Sequence, residues 1–234
     1  MPKPTFFNLP DEKREQILDI AIDEFANNDY ESVSISRLVA RAGIAKGSFY
    51  QYFTDKADLY SYLLELLTQK KFEFLSLDRP DPQHAGIFVY LRWMALEGAA
   101  FELAYPKLTQ IGLRAMNTGT VPSAFYAQAR ESALAFYRRL VEVGKEQGDI
   151  EPYIDPEVAA LVFDSVLTGI GRYIFERFAD PDSGRRGDRQ ALFELPGVSD
   201  LFTQSVNILE HGMGNRTGES NQSWRAAAHG DPAD

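Results

Sequence analysis

Two short apolar stripes set on either side of one glycine constrain this chain more than any other feature. In the run SISRLVARAGIAKGSFYQYF, Ile35, Leu38, Val39 and Ala42 fall at i, i+3, i+4 and i+7, the spacing that gathers side chains on one face of an α-helix. Ser34 occupies the position of an N-cap, where a hydroxyl accepts from an unpaired backbone N–H. Gly43 follows the last apolar residue, where a glycine takes up the left-handed conformation that ends a helix. A second short helix, from about Ala45 to Phe53, restarts at once, which predicts a helix-turn-helix.

On a wheel of about 100° per residue, Phe49 and Phe53 face inward on this second helix. Gln51 then points away from the core, Gly47 and Ser48 lie on its side, Tyr50 and Tyr52 flank it, and Lys46 stands at the helix start. Such an outer face suits the DNA major groove, where glutamine pairs with an adenine edge and serine is adaptable. Tyrosine hydroxyls, Lys46, Lys56 and groups around Ser34 are placed to meet phosphates.

The surrounding pattern is helical throughout. A first helix is predicted from Pro10, with the stripe Leu18, Ala21, Ile22 and Phe25. A fourth, capped by Thr54 or Asp55, runs to about Leu77, and further helices span about 83–104, 106–116, 122–147, 156–178 and 197–211. The breaks are rich in Gly, Pro and Asp. The tail from Gly212 has little to bury and reads as disordered.

The net charge of -10 argues against a protein that coats nucleic acid indiscriminately. Residues 34–56 are locally basic through Arg37, Arg41, Lys46 and Lys56 against Asp55, although acidic residues outnumber basic ones over the first sixty. The chain has no cysteine, which excludes disulfides and thiolate metal sites. Its three histidines are scattered, so no metal or cofactor is expected. No leader-like start and no membrane-spanning run is read, and the expected setting is the cytoplasm.

The run SISRLVARAGIAKGSFYQYFTDKADL, Ser34 to Leu59, resembles the N-terminal signature of the TetR family of transcriptional regulators, and KREQILDIAIDEF is similar to that family's first helix. The resemblance covers about the first quarter of the chain. It implies an all-α fold: a three-helix HTH DNA-binding domain over 1–55, a helical ligand-binding and dimerisation domain over 56–211, and a tail over 212–234. It also implies a homodimer that binds a palindromic double-stranded operator, usually as a repressor, until a small-molecule effector releases it. Carried over residue by residue, Lys46, Gly47, Ser48, Tyr50, Gln51, Tyr52 and Lys56 face DNA, with Ser34 and Arg37 beside them.

Aromatic residues around two charges nominate the effector site. They are Arg92, Trp93, Glu97, Phe101 and Tyr105 on one helix, with Phe125, Tyr126 and Phe163 on others; aromatic walls with a few polar anchors suit a drug-sized ligand. The segment EVAALVFDSVLTGIGRYIF is apolar on nearly all sides, as for a helix buried on two faces. Val158, Val162, Val166 and Gly169 on it, with Leu201, Phe202, Ser205 and Leu209, are the expected dimer interface. The fourth helix is the expected lever between effector and reader. A helical enzyme and a protein-binding scaffold are the rival readings, but no nucleophile stands beside a base.

Overall fold

The computed structural model describes residues 1–76, 79–118, 123–179, 192 and 195–213, and of residues 117, 118 and 123–129 the backbone alone. Every regular element among them is helical. The order is α1 (Pro4–Phe7), α2 (Asp11–Asn27), a 3-10 turn (Tyr30–Ser32), α3 (Ile35–Ala42), α4 (Lys46–Tyr52) and α5 (Lys56–Ser76). There follow α6 (Pro82–Ala85), α7 (Ile87–Ala104), α8 (Pro106–Thr118), α9 (Ser123–Gln147), α10 (Pro156–Phe178) and α11 (Val198–Met213).

Local chemistry accounts for most boundaries. Gly43 is left-handed at φ 61° and closes α3. Asp55 accepts from the Asp58 N–H at 2.8 Å while Asp58 accepts from the Thr54 N–H at 2.9 Å, a reciprocal cap for α5. Asp155 accepts from Glu157 and Val158 N–H groups to start α10. The helix expected from 83 to 104 is broken by Gly86, whose φ of 85° no helix accommodates. Asp149, remote in sequence, then accepts from the Ile87 N–H at 2.9 Å and restarts the chain as α7. The last helix runs on to Met213, whose carbonyl accepts from Glu151 N–H, two residues beyond the expected 211; the tail expected to be disordered otherwise lies outside the described residues.

The first core gathers Ile17, Ala21 and Phe25 of α2, Leu38, Val39 and Ala42 of α3, Phe49 of α4 and Leu59, Leu63 and Leu64 of α5. On α2 the buried stripe is Ile17, Ala21 and Phe25, with Leu18 and Ile22 only half-buried, a rotation of the stripe first read. Leu108, Ile111 and Ala115 of α8 enter the same core. The small unit is thus seated on the large one through α8 as well as through α5. Two ion pairs reinforce that seat: Lys107 to Asp23 and Arg114 to Asp29, both at 2.7 Å.

The second and third cores lie among α7, α9, α10 and α11. Helix α10 is long and apolar enough, by length and composition, to cross a membrane, with a mean hydropathy of 1.5 in its best window. This corrects the expectation that no segment would reach that threshold. The apolarity has a place in the fold, because Ala159, Ala160, Phe163, Ile170, Ile174 and Phe175 face the core.

Candidate nucleic-acid interface

Helix α4 has two sides of opposite character. Phe49 and Phe53 are buried, their ring centroids 5.5 Å apart. Lys46, Gly47 and Gln51 are exposed, Ser48 is half-buried, and Tyr50 is 44% exposed. Tyr52 departs from the symmetrical arrangement expected of it: its ring lies 6.1 Å from that of Phe6, and the residue is half-buried. Tyr50 therefore lies mostly outward, its ring edge-on to Phe49 at 5.4 Å, while Tyr52 is shared between surface and core.

Of the remaining expected contacts, the cations are spoken for internally while Ser34 stands clear. Ser34 holds the N-cap position of α3, but its side chain makes no capping bond and is exposed. The Lys56 ammonium donates to the carbonyls of Tyr30 at 2.7 Å, Val33 at 3.2 Å and Glu31 at 3.4 Å, and sits 4.3 Å above the Tyr30 ring. It clamps the 3-10 turn onto α5 rather than standing clear. Arg37 Nε donates to Glu24 at 2.6 Å, and Arg41 donates to Glu24 at 2.7 Å and Asp23 at 2.8 Å.

Glu24, only 4% exposed on α2, is thus the organising carboxylate of the basic surface, and sequence reasoning missed it. Its signal was an acid within the buried half of a helix, since a carboxylate there needs hydrogen-bonded cations to offset desolvation. Asp23 extends the network, and hydrogen bonds from Lys107 and then Arg41 hold its carboxyl below the usual range.

The aromatic set expected to bind an effector is divided. Phe101 and Phe163 are fully buried, and Glu97 is buried. Arg92 reaches Asn207 of α11 at 3.3 Å. Trp93 and Tyr105 are half-buried, and Trp93 Nε1 is buried with no acceptor among the described residues. The side chains of Phe125 and Tyr126 lie outside the described residues. Helix α5 reaches this stripe: the Phe74 ring lies 5.7 Å from Phe101, and Lys71 stands 3.5 Å from Glu102.

The expected interface residues divide as well. Phe202, 1% exposed, and Leu209 belong to the subunit's own core, which corrects their assignment to an outer surface. Gly169 is exposed and open; Val162, Val166, Leu201 and Ser205 are half-buried. Gly171 makes a close intramolecular approach, since a Cβ there would lie 2.6 Å from the Glu102 carboxylate. What α10 and α11 present outward is Val158, Leu161, Tyr173 and, 72% exposed, Ile208. A groove of about 530 Å³ runs between them, lined by Tyr173, Leu201, Ser205 and Ile208 among others.

The chain is similar to known proteins in sequence and in fold. The family described as bacterial regulatory proteins, tetR family, matches residues 17–63, which span α2 to the first turns of α5. A crystal structure of a TetR family transcriptional regulator from Chloroflexus aurantiacus J-10-FL is 41% identical, with a TM-score of 0.78, covering 92% of this chain and all of that one. The A-factor receptor protein of Streptomyces griseus is 26% identical over 181 residues, 76% of this chain but 59% of its own length. The transcriptional regulator AcrR of Shigella flexneri is 38% identical over 55 residues, 24% of this chain and 26% of its own. With α4 exposed on a helix-turn-helix and a relative matched from end to end, the chain belongs to the TetR family of transcriptional regulators, DNA-binding proteins and not enzymes.

Proposed function

We propose that the chain is a cytoplasmic homodimeric repressor that holds a palindromic operator until a small molecule releases it. The observation that carries this reading is the outward face of α4, where Lys46, Gly47, Tyr50 and Gln51 stand exposed above two buried phenylalanines. Gln51 reads an adenine edge and Ser48 an adjacent base. Tyr50, Tyr52, Lys46 and Ser34 hold the flanking phosphates, which fixes register without specifying sequence. For Arg37 and Lys56 a phosphate contact requires exchange of an internal acceptor for the phosphate.

The outer faces of α10 and α11 support self-association, because Val158, Leu161, Tyr173 and Ile208 leave apolar area in water that a symmetry mate would cover. A two-fold pair sets its two reading helices about 34 Å apart, or at a larger groove-matched distance. An effector is favoured by the stripe of Trp93, Glu97, Phe101 and Tyr105 beside Arg92 and Phe163, with Phe125 and Tyr126 on α9. The unsatisfied Trp93 N–H asks for an acceptor there, and the relative named as an A-factor receptor favours a small-molecule ligand.

Release follows if the effector binds one separation of the readers better than another. Two routes connect the stripe to the reader: α5, through Phe74 and Lys71, and α8, through the Lys107–Asp23 pair. Gel-shift titration on the DNA upstream of the chain's own gene tests the reading. Saturation at two subunits per site with a steep loss of affinity in salt is expected; no discrimination from unrelated duplex at any salt would overturn it.

A further inference from the structure

Helix α4 is seven residues long, about two turns, and a helix this short does not hold its shape in water unaided. Its last four carbonyls have no donor among the helix's own seven residues. One of them, Phe49 O, accepts from the Phe53 N–H at 2.8 Å. The other three are taken by a segment more than forty residues earlier. Lys3 Nζ donates to Tyr50 O at 2.8 Å, Thr5 Oγ1 donates to Gln51 O, and the Lys3 N–H donates to Tyr52 O at 2.8 Å.

An apolar wedge pins the same segment. Phe6, 0% exposed, lies with its ring centroid 4.8 Å from that of Phe53 and 5.9 Å from that of Tyr62. Arg14 of α2 holds the far end by donating to the Phe7 and Leu9 carbonyls. Pro4 at the first position of α1 fixes the turn between Lys3 and Phe6. The Lys3 ammonium also stands at the negative end of the α4 dipole, where a cation is favoured.

We propose that Lys3 and Thr5 are positioning residues for DNA recognition, an external cap that sets the azimuth of α4. The inference rests on the reading that α4 enters the groove. The residues whose carbonyls the cap holds, Tyr50 and Gln51, are those whose side chains face outward. Loss of the cap lets the last turn fray, and frayed carbonyls carry Gln51 off its base edge. Because Lys3 acts on a carbonyl and not on a phosphate, its removal weakens binding without changing the number of phosphates neutralised.

The test uses the full chain and a duplex that the wild-type protein selects from a randomised library. Lys3→Met and Thr5→Val leave Phe6 in place, so the bundle keeps its core. Each is expected to lower affinity for the selected duplex roughly five- to tenfold, about 1–1.4 kcal/mol, with an unchanged salt slope and faster amide hydrogen exchange in residues 50–53. Lys3→Arg and Thr5→Ser are expected to restore both. Unchanged affinity and exchange would overturn the proposal, as would a salt slope shallower by about 0.9 per Lys3 removed, the mark of a direct phosphate contact. If the wild type selects no duplex, the DNA reading itself fails, and the exchange measurement still decides whether the cap exists.

Discussion

In the N-terminal bundle each short helix turns one stripe inward and leaves the other side to solvent: α3 buries Leu38, Val39 and Ala42 while Ser34, Ser36 and Arg37 stay exposed. In the C-terminal bundle α7 buries Ile87, Phe88, Tyr90, Leu91, Ala95, Glu97 and Phe101, a face about half the helix wide, and leaves Val89 exposed on the opposite side. The first design separates holding the fold from presenting a surface, so a substitution on one side leaves the other intact. The second spreads its buried residues more widely around each helix, and the most exposed apolar side chain among the described residues of α10 and α11 is Ile208. On the proposed reading, DNA recognition would reside in a region where surface chemistry varies independently of stability, whereas an effector would have to be accommodated inside a packed core.

The largest expected effect breaks the inner side of the reader. Phe49→Ala removes a 3%-exposed ring from the first core and is expected to cost about 3–5 kcal/mol, read by denaturant unfolding, with DNA binding lost as a consequence. Helix α10 and α11 provide the counterpart. Ile208→Asp is expected to shift sedimentation from dimer to monomer with a roughly tenfold or greater loss of self-affinity, while the thermal midpoint of the subunit stays within a few degrees. Phe202→Ala, one turn and a half away on α11 and buried, should do the reverse and destabilise the subunit.

Glu24→Ala is a smaller probe that tests whether the basic surface is held from within. Its two arginine partners are close to half exposed, so the loss is discounted to about 1–2 kcal/mol. Freed guanidinium groups should raise non-specific affinity and steepen its salt dependence. Equal non-specific binding by the variant and the wild type would show that Arg37 and Arg41 already reach phosphate.

The smallest effect concerns the seat between the bundles. Asp23 has its carboxyl held low by Lys107 and Arg41, so its folded value lies below the unfolded one. The stabilisation it brings is present above the unfolded value near 3.8 and is lost as pH falls through the folded value. Lys107→Met should reduce this contribution by about 0.5 kcal/mol, visible in urea unfolding at pH 6 and vanishing near pH 2. An undiminished difference in acid would separate Lys107 from the titration of Asp23.

The contrast between the bundles also explains what the sequence made legible. Gly43, the α3 stripe and the inward pair Phe49 and Phe53 follow from spacing alone, because each helix has a single buried face. Phe6 was invisible, since a four-residue helix exists through its contacts with α4 and carries no period of its own. Gly86 reads as part of the first turn of a helix because the residue that restarts the chain, Asp149, is remote. Phe202 and Ile208 share one apolar stripe in α11, and only packing decides that Phe202 turns inward and Ile208 outward.

The outward face of α4 is tested most directly by selecting duplexes from a randomised library with the wild type and with Gln51→Ala. The wild type is expected to return a palindrome with a strong preference where Gln51 meets a base, and the variant the same palindrome with that position relaxed in both halves, about 1–3 kcal/mol of discrimination lost. Identical preferences at every position would place base recognition elsewhere than on this helix.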